Sequence, residues 1–180
     1  MIERELAAHQ AWLDGLEGGC RLELSFANLA DINLAGANLS HADFSRATLS
    51  NVDLTSAMLT DVTLFEATFA KCRLDCSILT EADLAGARLF DCSLTSADLG
   101  NAVLIKAELW QCDLTDASLK GARAKRVSIN GGRFVRVDVS GADLSYGAIR
   151  SDLTGTDLTL SAFTGTYGIR ARISACVIPR

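Results

Sequence analysis

The sequence predicts an all-β solenoid, in which the chain winds into stacked coils around a narrow apolar core. Three observations lead to this fold class. Large apolar residues recur every five positions, a small residue precedes each of them by two positions, and the apolar content is mostly leucine and alanine. Five is the period of neither an α-helix nor a flat strand. The chain is 49% hydrophobic but only 6% aromatic, which suits a regular core.

The large residue of each pentad, its centre, recurs without a slip from Leu24 to Ile149, giving 26 pentads in one phase. The phase contracts by one residue at 150–152 and resumes at Leu153. We therefore predict one repeat domain over residues 22–180, with a phase slip at 150–152. Its expected core stack includes Leu24, Phe44, Leu64, Leu84 and Leu104, with Cys72, Cys92 and Cys112.

The pentad also predicts the path of the backbone. A small residue two positions before a large one points the same way only if the chain between them is extended. The three residues to the next small position must turn a corner, because the next pair also faces inward. Coils built this way stack at roughly 4.8 Å and pair their backbone groups, except at the two ends.

Several pentads share a stricter pattern, a small residue followed by Asn or Asp and then Leu. It occurs at 27–29, 37–39, 82–84, 97–99 and 142–144. This motif resembles that of the pentapeptide-repeat family, and the resemblance extends over residues 22 to 178. It implies a right-handed quadrilateral β-helix with four pentads per coil, so that residues twenty apart lie one above another. About 32 pentads then give about eight coils, a rod roughly 38 Å long.

Residues 1–21 are predicted to form a short N-terminal helical cap. Leu6, Leu13 and Leu16 can share one helix face, and Gly18–Gly19 is expected to end the helix. The segment is similar to the lead-in that precedes such repeats in the family. A cap of this kind would cover the floor of the first coil, as solenoids require. Trp12 is either the plug of that floor or an exposed contact.

The C-terminus has no comparable cap, since only Pro179 and Arg180 follow Ile178. An uncovered last coil presents strand edges and core side chains. Either the final turn covers itself or a second chain does, and we favour a homodimer through the C-terminal coil.

The sequence predicts no enzyme, no cofactor and no metal site. Cys72, Cys92 and Cys112 lie twenty apart at inward positions, and a linear ladder cannot surround a zinc ion tetrahedrally. His41 is expected in one outward column with Asp61, but a convex wall provides neither a pocket nor an oxyanion hole. For Cys72, Cys92 and Cys112, the simpler interpretation is that each cysteine serves as a small core residue.

Four large apolar residues stand where the residue after a centre is usually small or polar. They are Phe65, Phe90, Ile105 and Trp110. Phe90 and Trp110 should stack on one face, and Phe65 and Ile105 on the adjoining one, giving an apolar patch at mid-rod. Such a patch is typical of a protein contact. The alternative is local packing over the corners.

Charge is unevenly distributed along the chain. Residues 22–119 hold 14 acidic and 5 basic residues, whereas residues 120–136 hold six basic residues and no acid. This basic band, which includes Lys125 and Arg126, is a second candidate surface. Six charges without interleaved aromatic residues are a weak nucleic-acid signal, so nucleic acid is an unlikely partner.

The leading functional prediction is a non-catalytic structural and interaction module that binds a protein partner through its outer faces. The alternative is a DNA-mimicking binder of DNA gyrase or another topoisomerase, of the quinolone- or toxin-resistance type, which the family resemblance implies. The acidic stretch carries about one net charge per 2.7 Å of axis, against about 1.7 Å for duplex DNA. The sequence contains no membrane-length apolar run and no secretory signal, so a cytoplasmic protein is expected.

Overall fold

The computed structural model describes residues 2–156 and Thr164. Within them, one helix, α1 (Ile2–Leu13), precedes a seven-stranded parallel sheet whose strands follow chain order. The strands are β1 (Asn28–Ala30), β2 (Thr48–Ser50), β3 (Thr68–Ala70), β4 (Arg88–Phe90), β5 (Glu108–Trp110), β6 (Ser128–Arg133) and β7 (Ala148–Asp152). Neighbouring strands pair twenty residues apart, as Leu49 does with Phe69.

The solenoid has four walls, and one pentad of each coil lies on each wall. The first wall carries the centres Leu24, Phe44, Leu64, Leu84, Leu104, Ala124 and Leu144. The second wall is the sheet, with centres from Leu29 to Ile149. The third and fourth walls carry centres from Leu34 to Phe134 and from Leu39 to Val139. The first, third and fourth walls are ladders of single parallel bridges between residues twenty apart, such as Asp43 with Thr63.

The predicted fold class is confirmed: the chain is a parallel β-solenoid with a short N-terminal helix. Between β1 and β7 it makes about six turns. The remaining predicted coils, and the predicted C-terminal dimer contact, lie outside the described residues. The right hand of the coil stays an implication of the family resemblance.

The core is built from the small and large residues of each pentad. Phe44, Leu64, Leu84 and Leu104 are buried, whereas Leu24 in the first coil is only partly buried. The gap between Phe44, Leu64 and Phe69 is too narrow to admit a water molecule. The stacked apolar side chains therefore leave no water-sized gap in this part of the core, as close packing requires.

On the first, third and fourth walls, an Asp or Asn before a centre has a defined structural role. Its side-chain oxygen accepts a hydrogen bond from the backbone N–H two residues later, for example Asp98 from Gly100 at 2.9 Å. The same contact recurs at Asn33, Asn38, Asp43, Asp53, Asp83, Asp113, Asp138, Asp143 and Asp152. This contact satisfies a corner N–H that the wall ladders leave unpaired. It explains the preference for Asn and Asp in the motif.

Three of the four corners are closed by β-turns. The N–H of Ala57, for instance, donates to the carbonyl of Leu54 at 3.0 Å across Thr55 and Ser56. Ser56 has a φ of 56°, and its equivalents along the chain share this left-handed conformation. A turn with a positive φ at its third residue is of type II, which usually requires glycine or asparagine. Here most of these positions hold other residues, and Gly86 is one of the exceptions.

The cap differs in detail from the prediction. Helix α1 ends at Leu13 and is followed by Gly15 at a positive φ, so Gly18–Gly19 does not end it. Leu16 is 60% exposed and does not share the covering face, because the chain has already left the helix. Gly19 packs against the backbone of Trp12, where a Cβ would lie 2.3 Å from the amide nitrogen.

His9 is the fully buried residue of α1 and plugs the first coil. Its Nδ1 accepts a hydrogen bond of 3.0 Å from the backbone N–H of Leu22. Burial lowers the pKa of His9, with His41 and Arg21 acting in the same direction, while the Ser40 backbone opposes them. Trp12 is 38% exposed and stacks on the His9 ring at 5.7 Å, so it covers the plug and is not itself the plug.

The change of phase near residue 150 appears as a register shift. Asn130 pairs with Arg150, but Arg133 pairs with Asp152, so β7 is one residue shorter than β6 across this corner. Gly131 and Gly132 lie in β6 opposite the shift, both with positive φ. A Cβ on Gly132 would lie 2.0 Å from the Cys112 carbonyl oxygen, so glycine is required there. Residues 130–132 therefore form a strand irregularity.

Candidate interaction surfaces

Two of the predicted contact residues are direct neighbours on the second wall. Phe90 ends β4 and pairs in register with Trp110, which ends β5. Trp110 is 41% exposed and Phe90 is half-buried. The parallel ladder holds residues in register about 4.8 Å apart, so the two aromatic side chains lie side by side on the outer surface.

Phe65 and Ile105 lie at the corner between the first and second walls. They occupy one column with Ala85 between them, since Glu66 and Gly86 donate to the carbonyls of Ala85 and Ile105. Phe65 is exposed and Ile105 is half-buried. Val103, on the first wall beside Ile105, is also half-buried.

A shallow polar groove separates these two apolar pairs. Its lining consists of Glu66, Thr68, Gly86, Arg88, Lys106 and Glu108. The structure therefore brings Phe90 and Trp110 together, and places Phe65 and Ile105 on the other side of a groove whose floor carries both signs of charge.

The basic band of the sequence is divided by the fold. Arg133 and Arg136 lie on the side of the third wall, where they pair with acids one coil before them. Arg136 makes a two-bond contact with Asp116, at 2.7 and 2.6 Å, and Arg133 lies 3.5 Å from Asp113. The bond to Arg136 is the main cause that lowers the pKa of Asp116.

The rest of the band lies on or beside the first wall. Lys120, Arg123, Lys125 and Arg126 project there from a single coil. Lys125 pairs with Asp143 at 3.4 Å. The positive surface is therefore a compact patch on one side of the rod and not a ring around it.

An acidic ridge follows the corner between the fourth and first walls. We define it as Asp43, Asp61, Glu81, Asp83 and Asp98. These five carboxylates span roughly 13 Å along the rod axis, which is about one carboxylate per 2.6 Å. The ridge ends where Arg123 continues the column of Asp43 and Asp83, with Lys120 nearby at the same corner.

The predicted column of His41 and Asp61 is present. His41 Nδ1 lies 3.0 Å from Asp61 Oδ2, and both side chains are exposed on the outer surface. The Trp12 ring meets His41 edge-on at 6.3 Å. The pair thus links the cap to the second coil, on an open wall.

The three inward cysteines form a line of buried thiols. Cys72 and Cys112 donate to the carbonyls of Leu49 and Leu89, each at 3.4 Å. The contact with the Cys112 thiol and burial raise the pKa of Cys92 to about 12, whereas the contact with Cys72 acts to lower this pKa. Over residues 2–156, no cluster of His, Cys, Asp or Glu has the arrangement of a metal site.

Several exposed apolar side chains were missed from the sequence. Phe26 and Tyr146 project from turn positions of the first wall, and Met58 and Ile78 pair on the fourth wall. A comparison of every column at a spacing of twenty could have found them, because each column lists the side chains of one surface line. In the described part of the chain, α1 is too short to cross a membrane.

The comparisons with known proteins agree with this architecture. The family model of pentapeptide repeats matches in eight copies, at residues 23–61, 57–95, 92–131 and 112–145. No curated protein sequence matches the chain.

Solved structures share the fold at low sequence identity. A trypsin-treated variant of QnrB1, a plasmid-mediated fluoroquinolone resistance protein, is 18% identical with a TM-score of 0.58, over 82% of this chain and 91% of that one. Full-length QnrB1 is 20% identical with a TM-score of 0.53, over 81% and 83%. HetL from Nostoc sp. strain PCC 7120, a pentapeptide repeat protein involved in heterocyst differentiation regulation, is 23% identical over 94% of each chain, with a TM-score of 0.38. By its repeats and by the family model, the chain belongs to the pentapeptide-repeat family.

Proposed function

We propose that this protein is a non-catalytic interaction module that binds a protein partner through its outer walls. The observation that carries the proposal is the pairing of Phe90 with Trp110 on the second wall. An exposed tryptophan beside a second aromatic ring is the composition of an interface hot spot. The core between Phe44 and Phe69 has no room for a substrate, which supports a role for the surface.

The groove beside this pair adds specificity to the proposed contact. Arg88 and Glu108 lie in neighbouring strands on the second wall, next to the aromatic pair. A partner that covers Trp110 must also match this alternation of charge. Apolar anchors with a polar rim are the usual anatomy of a protein interface.

The test compares two exposed apolar side chains on opposite walls. Trp110→Ala should remove binding of the cognate partner in a pull-down, whereas Ile78→Ala on the fourth wall should leave it unchanged. Trp110 and Ile78 are both 41% exposed, so the control removes an apolar side chain of the same fractional exposure. Equal binding by the wild type and Trp110→Ala would contradict the proposal.

The acidic ridge favours a second candidate function, a DNA mimic that binds gyrase or a related topoisomerase. Its charge spacing approaches that of duplex DNA, at about one per 1.7 Å. The similarity of fold to QnrB1, a fluoroquinolone resistance protein, is consistent with this alternative. A mimic should inhibit gyrase supercoiling, and Asp61→Lys with Glu81→Lys should abolish that inhibition while Ser96→Lys on the third wall does not.

We place this function in the cytoplasm. The described cysteines, Cys20, Cys72, Cys76, Cys92 and Cys112, are all free thiols. Free thiols are typical of a reducing compartment. Recovery of Cys20 and Cys76 in the thiol form from cells would support this location, and recovery as mixed disulfides would argue against it.

A further inference from the structure

The exposed side chains of the first wall are arranged symmetrically about Gly86. Its outermost turn column reads Phe26, Arg46, Glu66, Gly86, Lys106, Arg126 and Tyr146. Because residues twenty apart are stacked, Phe26 and Tyr146 each lie three coils from Gly86. Phe26 is 70% exposed and Tyr146 is 54% exposed. Two aromatic side chains therefore project at equal distances from the middle of the wall.

The neighbouring columns repeat this symmetry. Phe65 and Ile105 each lie one coil from Ala85. On the first wall, Asp43 and Arg123 each lie two coils from Asp83, in one ladder of bridges. Phe65 thus corresponds to Ile105 across the midpoint and Asp43 to Arg123, whereas the outermost pair of the ladder, Glu23 and Asp143, carries like charge.

The two halves of the wall carry opposite net charge. The N-terminal half holds three acids and one base, namely Glu23, Asp43, Glu66 and Arg46. The C-terminal half holds four bases and one acid, namely Lys106, Arg123, Lys125, Arg126 and Asp143. A surface of this kind is electrostatically complementary to itself when it is turned end for end.

We propose that the first wall binds a second copy of this chain, antiparallel, about a two-fold axis that lies in the plane of the contact, perpendicular to the rod and level with Ala85 and Gly86. This contact is isologous, so each pairing occurs twice. Phe65 packs against Ile105 of the second copy, and Phe26 against Tyr146. Glu66 faces Lys106, and Asp43 faces Arg123.

Backbone and side chains at the axis allow the two walls to approach closely. Gly86 has no side chain and Ala85 has only a methyl group, so neither obstructs the contact. Asp83, level with them on the wall, faces its own counterpart in the second copy. Two further like-charged pairings oppose the contact, Glu23 with Asp143 and Arg46 with Arg126 of the second copy. The second of these is offset within the chain. Arg46 Nε already bonds Glu66 at 2.8 Å, and its guanidinium lies over the rings of Phe26 and Phe65 at 5.6 and 5.8 Å.

The dimensions of the wall determine the strength of this dimer. The contact surface is six coils long from Phe26 to Tyr146, which is roughly 29 Å. Its width is that of three extended residues, roughly 10 Å. This area belongs to the small class of interfaces. The dimer should therefore be reversible, depend on protein concentration and weaken with salt.

The inference is independent of the proposed partner site at Phe90 and Trp110, which lie on the second wall. Phe65, Ile105, Lys125 and Arg126, which the sequence assigned to a protein partner, here contact the second copy. Trp110→Ala should therefore leave self-association unchanged, so the two proposals can fail separately.

Sedimentation velocity over a concentration series tests the dimer by exchange of charge. Glu66→Lys and Lys106→Glu should each abolish the reversible association, because each places like charges opposite one another twice. An equimolar mixture of the two variants should associate again, since both lysines of the first variant then face glutamates of the second. Ser56→Lys, at the equivalent turn position of the third wall, should associate like the wild type.

Circular dichroism of each variant verifies folding, which should persist because both substituted side chains are exposed. A wild type that stays monomeric at millimolar concentration would overturn the proposal. The proposal would also be overturned if neither single variant changed the association state, which is the result expected of a dimer through the C-terminal coil. Failure of the equimolar mixture to associate would overturn it as well.

Discussion

Asp53 Oδ1 accepts a hydrogen bond of 2.9 Å from the backbone N–H of Thr55, two residues later in the chain. The same bond recurs on three of the four walls, from Asn33 to Asp152. It relates the polar position of the motif to the turn that follows it. The repeat thus encodes both the inward side chains and the corner that redirects the chain.

Removal of this acceptor should destabilise the corner. Asp53→Ala leaves the Thr55 N–H without its partner and should lower the free energy of unfolding by about 1 kcal/mol. Asp53→Asn keeps an oxygen acceptor and should cost only a few tenths of that. Urea denaturation of the three proteins measures the difference, and equal losses in Asn and Ala would contradict the assigned role.

The fold allows an acceptor from another coil to replace the missing one. Ser93 stands where Asp is usual, and Asp75 from the preceding coil accepts from both the Ser93 hydroxyl and, at 3.0 Å, the N–H of Thr95. Asp75→Ala should therefore be as destabilising as Asp53→Ala, by about 1 kcal/mol. Asp91→Ala, at a turn position without such a contact in the described residues, serves as the control in the same urea titration. A neutral Asp75→Ala would refute this compensation.

The inward stack depends on an apolar side chain at each centre. Leu84 is 1% exposed, so Leu84→Ala should cost about 2–5 kcal/mol and Leu84→Asp should unfold the rod. Ser96→Asp adds the same charge at an exposed corner and should melt like the wild type. Thermal unfolding followed by circular dichroism distinguishes them. A cooperative transition for Leu84→Asp near the wild-type temperature would rule out the inward assignment.

The cap should loosen in mild acid because of His9. Burial lowers the pKa of His9, so below its ordinary value of about 6.5 the unfolded chain binds a proton that the folded chain does not. Stability therefore falls as the pH decreases from about 6.5 towards the folded-state pKa, by up to about 1.4 kcal/mol per pH unit. Urea titrations at pH 7 and pH 5.5 measure this loss.

His9→Asn provides the comparison, since its amide oxygen can accept from Leu22 but does not titrate. The variant should lose less stability between the two pH values than the wild type does. An identical loss in both proteins would assign the acid sensitivity to other groups.

Burial should also protect the cysteine line. Cys72, Cys92 and Cys112 are buried, and the pKa of Cys92 is raised to about 12, so alkylation of the native protein should be slow at these thiols. Cys20 and Cys76 are exposed and should react first. Peptide mass mapping with and without urea measures the order, and rapid native labelling of Cys92 would contradict the assigned core.

The fold was predictable because one pattern decides it. The centres, the buried cysteines and the pairing of Phe90 with Trp110 all follow from a spacing of five and a stacking of twenty. The cap was not predictable in detail, because helix periodicity does not show which side chain reaches the first coil, and His9 does so in place of Trp12. The strand irregularity at Gly131 and Gly132 was not predictable either, because it depends on the coil that follows.

The candidate surfaces were only partly accessible from the sequence. The basic band appears continuous along the chain, but the fold sends Arg133 and Arg136 to a different wall from Lys125 and Arg126. The correspondence of Phe26 with Tyr146 spans 120 residues and becomes visible only when the columns are assembled. Local periodicity carries no information about such a relationship.

The central claim is that residues twenty apart are stacked neighbours, and an engineered disulfide tests it most directly. The hydroxyls of Thr60 and Thr80 lie 3.3 Å apart on adjacent coils. With Cys20, Cys76 and Cys176 replaced by serine, Thr60→Cys/Thr80→Cys should oxidise to an intramolecular disulfide, because the coil spacing falls within the range that such a bond spans. Thr60→Cys/Ala85→Cys, twenty-five apart, should not. Mass spectrometry showing the bond in the first variant alone would support the account, and a bond in the second variant alone, or in neither, would contradict it.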